Sequence, residues 1–151
     1  LVAAMVPIVM VVMNVVYALV SAPAGSVSDR LDRRVILLVG LVVLLTADLV
    51  LAVTGSVVGL LIGVALWGVH MGLTQGLLAA LVVDTSPQRL RGTAFGVYNL
   101  VTGITLLAAS GVAGVLWSAF GAPATFLAGS GFAALAALMI ASLLKRRKPT
   151  Y

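Results

Sequence analysis

The sequence predicts an all-α membrane protein, a polytopic helical bundle, and three observations carry that prediction. Of 151 residues 62% are hydrophobic and only 9% charged, and the mean hydropathy is +1.25. A water-soluble domain keeps about a quarter of its residues charged, so this chain lacks the polar shell that water requires. The apolar residues fall into five runs close to the ~20 residues a helix needs to cross a bilayer. The charges, finally, gather in the connections between runs. None of the runs alternates apolar and polar residues along its length, which argues against an outer-membrane barrel.

The elements follow in order. Leu1–Pro23 has no basic leader, so it fits a signal peptide poorly, and Pro7 is expected to kink it. The charged connection 24–34 leads into Val35–Thr54, and the uncharged turn TGS, Thr54–Ser56, into Val57–Val83. In the next connection, 84–92, Ser86 is expected to cap a helix whose first position is Pro87. Thr93–Trp117 is the fourth span, and the uncharged SAFGAP, Ser118–Pro123, joins it to Ala124–Leu144. Residues 145–151 form a tail that begins KRRK.

Orientation follows from the charges. Of the nine Lys and Arg residues, Arg30, Arg33 and Arg34 lie in the first connection, Arg89 and Arg91 in the third, and four in the tail. With five spans all nine fall on one side, which the positive-inside rule makes cytoplasmic. The first span then enters from outside and the C-terminus is cytoplasmic. An odd number of spans, opening within an apolar run, is expected of a fragment of a longer protein. The membrane is expected to be a bacterial inner (plasma) membrane.

Several function classes are disfavoured. Cysteine is absent, so there is no disulfide framework and no thiolate metal site. Four Asp, no Glu and one His cannot assemble a hydrolytic or metal centre, so no enzyme, metal or cofactor is expected. Both lysines, Lys145 and Lys148, lie at the C-terminal end, which leaves no phosphate-binding G-x-x-x-x-G-K-[ST] loop. The net charge of +5 flanks a bilayer instead of tracking a phosphate backbone, so the lipid bilayer, not nucleic acid, is the expected partner.

The stretch GSVSDRLDRR, Gly25–Arg34, carries charges on Asp29, Arg30, Asp32, Arg33 and Arg34. It resembles the G-x-x-x-D-R-x-G-R-R/K signature of the major facilitator superfamily (MFS). Gly25, Asp29, Arg30, Arg33 and Arg34 match, and Asp32 stands where the family usually has Gly. A second stretch, VDTSPQRLRGTAFGVYN, is similar to a later loop of that family, with Asp84, Pro87, Arg91 and Gly92 at the matching places. The resemblance covers essentially the whole chain. It implies five helices of a twelve-helix MFS fold, numbers eight to twelve, with two to six as the alternative, and a missing N-terminal half as partner. It further implies that the motif's Asp lies against the start of the helix near Gly92, while its arginines bind carboxylates and carbonyls at neighbouring helix ends. Such contacts bias the equilibrium between two access states. Asp32 either keeps the tight turn or pairs with Arg33 or Arg34.

Polar groups inside spans are the candidates for lining a solute path. Asn14, Tyr17 and Ser21 share one helical face; Trp67, His70 and Thr74 share another, with Gln75 beside them. Tyr98, Thr102 and Thr105 form a third stripe, adjoined by Asn99. The plainer reading of each is interhelical hydrogen bonding. Asp48 and His70 are candidate proton carriers. Asp48 could instead bond Thr46 or a neighbouring helix, or reach the outer interface, and His70 could be held by a neighbour's carbonyl. Glycines at four-residue spacing, Gly55, Gly59 and Gly63 and then Gly68, Gly72 and Gly76, predict close helix packing. The expected function is movement of a small solute, with proton coupling and efflux as finer expectations, by a secondary active transporter of alternating access. The alternative is a non-transporting, transporter-like membrane scaffold or sensor.

Overall fold

The computed structural model describes residues 5–28 and 30–146, Arg146 by its backbone alone; Asp29 and the tail from residue 147 lie outside the described residues. Five α-helices occur among the described residues: α1 Val6–Ser28, α2 Arg33–Val53, α3 Val57–Thr85, α4 Arg91–Phe120 and α5 Ala122–Arg146. All five are long and apolar enough to cross a membrane, and no strand occurs among the described residues.

Helix ends differ from the sequence reading where local hydrogen bonds decide them. α1 runs past Pro23 to Ser28, so the first connection is shorter than 24–34. Ser26 and Ser28 donate to the carbonyls of Ala22 and Gly25, keeping the last turn bonded beyond the proline. Pro7 lies in the first described turn; the proline in the helix interior is Pro23, which has no N–H to give the Leu19 carbonyl. Asp32 caps α2: it has φ −60° and accepts from the Arg34 backbone N–H at 2.9 Å. Its carboxylate therefore serves the helix start, and the turn needs no left-handed residue. Asp32→Ala should destabilise the protein by about 1 kcal/mol and Asp32→Gly by only a few tenths. Unfolding of the two variants in mixed detergent measures the difference.

Ser56 caps α3 through the Gly59 N–H at 3.1 Å. Ser86 does not start the next helix as expected. It ends α3, and Pro87 leads into a single 3₁₀ turn, Gln88–Leu90, before α4 begins at Arg91. Pro87 at ψ 142° is extended, which sets the 3₁₀ turn off from α3. The expected Ser118–Pro123 loop reduces to one residue. Ser118 stays helical, donating to Gly114 at 2.8 Å, and Gly121 alone reverses the chain with φ 82° and ψ 179°. That region of backbone space is essentially restricted to glycine. Trp117 and Phe126 meet edge to face at 6.4 Å across the hairpin.

Packing is uneven. α3 lies against both α1 and α2, and α2 also lies against α5. α4 is held by α5 and barely touches α3, and none of its residues is buried. Between membrane helices, small residues set how closely backbones approach, since lipid is as apolar as leucine. Gly68 and Gly72 serve this purpose at the α1–α3 crossing. A Cβ on Gly68 would lie 2.6 Å from the Met13 carbonyl oxygen, and one on Gly72 would lie 2.8 Å from Val20 Cβ. The buried apolar residues are mostly small or β-branched, among them Ala24, Ile36, Ala47, Ala52, Val64 and Ala133.

Candidate functional site: an arginine–carboxylate clasp beside a polar cleft

At the arginine-bearing end of the bundle, Arg33 Nη1 pairs with Asp84 Oδ2. Arg33 is the first residue of α2 and Asp84 lies in the last turn of α3, so the pair ties together the two loop motifs, 51 residues apart. The side chains are 25% and 52% exposed. Solvent screens such a pair, which is worth at most about 1 kcal/mol. A pair of that strength is too weak to lock two helices together. Of the remaining first-motif residues, Arg30 is exposed and Arg34 lines a groove with Tyr98, Leu78 and Leu143. Asp29, expected against the start of α4, lies outside the described residues. In the second motif Pro87 and Gly92 are exposed, and the Arg91 Nε is buried with no hydrogen-bond partner among the described residues.

Arg33 also closes one end of a cleft of about 350 Å³ between α1 and α3. Tyr17, Ser21, Gly25 and Ser28 line its α1 side, with Gly72 and Gly76 on the α3 side. The cleft therefore combines a phenol, two hydroxyls and a guanidinium with small residues that leave room. Sequence reading found Tyr17, Ser21, Gly25 and Arg33. It did not place Ser28 or Gly76 in a cleft, although Ser28 lies seven residues beyond Ser21 on the same face and Gly76 ends the glycine series that begins at Gly68. It also missed the partner of Arg33, although opposite charges at adjacent ends of α2 and α3 were the available signal.

The other polar candidates do not converge on this cleft. His70 Nδ1 donates to the Gly40 carbonyl at 2.8 Å, and Thr74 donates to the His70 carbonyl at 2.8 Å. The first bond fastens α3 to α2, and the second stays within α3. Trp67, nominally on the same face, lines a separate cavity of about 570 Å³ with Asp48, Thr105 and Phe126. Asn14 is exposed and donates to the Met10 carbonyl of its own helix at 2.8 Å; Gln75 and Asn99 are exposed, and Thr102 is half-buried. Asp48 is buried, and Thr46 is not its partner, because the Thr46 hydroxyl donates to Val42 at 2.9 Å.

The sequence model of the Major Facilitator Superfamily matches residues 2–151. An uncharacterized MFS-type transporter of Methanocaldococcus jannaschii is 35% identical over 139 residues, 91% of this chain and 35% of that protein. The chain thus spans about a third of the length of the relative it matches. On the family match and this identity, the chain belongs to the Major Facilitator Superfamily, a family of membrane transporters and not of enzymes.

Proposed function

We propose that these residues are helices eight to twelve of a secondary active transporter, which moves a small solute by alternating access together with an N-terminal half of the same polypeptide. The clasp carries the reading. Arg33 and Asp84 join the two family-like loops at the end where the arginines gather, directly over a polar cleft between two helices. A contact of this strength can tilt an equilibrium between access states without freezing it. The nine cationic residues support a cytoplasmic placement of this end and of the C-terminus in a plasma membrane. For coupling, the tether to Gly40 supports a packing role for His70, which leaves Asp48 as the stronger proton-carrier candidate of the two.

The test is uptake. The longer protein encoded by the natural gene, in proteoliposomes, should move a solute against its gradient, and the 151-residue chain alone should not. Uptake by the isolated chain would contradict the two-half reading, and a longer protein inert to every solute gradient tried would favour a scaffold.

A further inference from the structure

The hydrogen-bonding inventory of the cleft between α1 and α3 narrows what it can hold. Among the described residues Arg33 is the charged group that lines it, and Asp84 meets Arg33 from outside the lining. That ion pair uses Nη1, while a guanidinium carries further N–H donors in a planar fork. No other Arg33 nitrogen has a hydrogen-bond partner among the described residues. The cleft is therefore electropositive at its arginine end, with donors left for a second carboxylate.

Farther along α1 the serines can only accept. Ser21 and Ser28 commit their hydroxyl protons to the carbonyls of Ala18 and Gly25, at 3.0 and 2.7 Å, which leaves lone pairs toward the cleft. An occupant must bring its own N–H or O–H to meet them. Leu73 and Leu77 of α3 supply an apolar wall. Two glycines supply room. Gly25 and Gly76 are exposed, and nothing lies within 4 Å of a Cβ at either, so helix packing gives no reason for glycine there. Gly72 differs, since its Cβ would meet Val20. The cleft extends along about three turns of α1, from Tyr17 to Ser28. Its volume of about 350 Å³ lies within the roughly 300–1,000 Å³ of small-molecule sites.

We propose that the cleft binds a small carboxylate that carries a hydroxyl or amide N–H donor on an apolar body, as a 2-hydroxy acid does. The carboxylate sits on Arg33, the donor on a serine oxygen and the body against Leu73 and Leu77. Asp84 holds the same guanidinium, so ligand and Asp84 compete for it and binding loosens the clasp. On the transporter reading, on which this rests, such a carboxylate is the class of solute moved.

Thiol labelling of Ser21→Cys in the full-length protein, freed of other cysteines, is the test. Rates with the anionic sulfonatoethyl methanethiosulfonate and its cationic trimethylammonium counterpart are each divided by the rate with free cysteine. The anionic reagent should then be the faster, and Arg33→Gln should lower the ratio by about fivefold. Arg89→Gln, outside the cleft, should leave it nearly unchanged. 3-Phenyllactate should slow anionic labelling, and its methyl ester should not. Asp84→Asn frees the guanidinium and should lower the phenyllactate concentration needed by up to about fivefold; loss of a merely structural contact would raise it. Arg33→Lys keeps the charge without the fork, so it should keep the rate ratio and weaken protection, which serves if Arg33→Gln does not fold. Equal corrected rates, protection by the ester as strong as by the acid, or weaker protection in Asp84→Asn would each overturn the proposal. Uptake by the same preparations keeps the two readings apart. Protection without uptake of any solute defeats only transport, and uptake of a solute without protection by phenyllactate defeats only the carboxylate site.

Discussion

Gly68→Leu is expected to cost about 3 kcal/mol or more and to part α1 from α3. The reason is that the first atom a side chain would meet is backbone: a Cβ at Gly68 would lie 2.6 Å from the Met13 carbonyl and 3.0 Å from Val16 Cβ. A flexible neighbour could swing aside, but a carbonyl within a bonded helix cannot. Separation would also open the α1–α3 cleft that holds Tyr17 and Ser21. Gly131→Ala is the control, because nothing lies within 4 Å of a Cβ there; it should be neutral or stabilising by up to about 1 kcal/mol. Detergent-unfolding midpoints of the two variants, compared with the parent, check both expectations.

Gly121→Val should destabilise by about 2–3 kcal/mol through backbone strain alone. At φ 82° and ψ 179° the residue occupies space that a Cβ makes costly, and no alternative turn is at hand because α4 and α5 share this one linking residue. The damage should localise to the hairpin. Trp117 and Phe126 would lose their edge-to-face contact, so the change should appear in the fluorescence of a Trp67→Phe background, where Trp117 is the remaining tryptophan. Unaltered fluorescence and an unaltered midpoint would show that the reversal tolerates side chains.

The spans were legible because their physics is local. Twenty apolar residues between charged or glycine-containing connections announce a membrane helix irrespective of what surrounds it. Helix ends were less legible, since Ser26 and Ser28 extend α1 beyond a proline that seemed to end it, and one glycine replaced an expected loop. Of the site, the Gly25–Arg34 stretch stood out by its charges and was identified as a motif by its resemblance to the family signature. The pairing of Arg33 with Asp84 could not, because it depends on where α2 starts and α3 stops in space. The face Trp67–His70–Thr74 shows the same limit. Helical periodicity groups the three residues, but α3 has different neighbours along its circumference, so His70 meets Gly40 while Trp67 meets the Asp48 cavity. Periodicity specifies a stripe, and only packing specifies what the stripe faces.

On the proposed function, the cleft under the Arg33–Asp84 clasp belongs to an alternating-access path. It is tested most directly by labelling Tyr17→Cys in the full-length protein with a membrane-impermeant thiol reagent, from each side of the membrane in turn. Cysteine is otherwise absent from these 151 residues, which keeps their background low. Labelling is expected from both sides, with a shift of up to about fivefold in the ratio of the two rates on Asp84→Asn, the factor that about 1 kcal/mol allows. Labelling from one side only, with the same rate in Asp84→Asn, would contradict it.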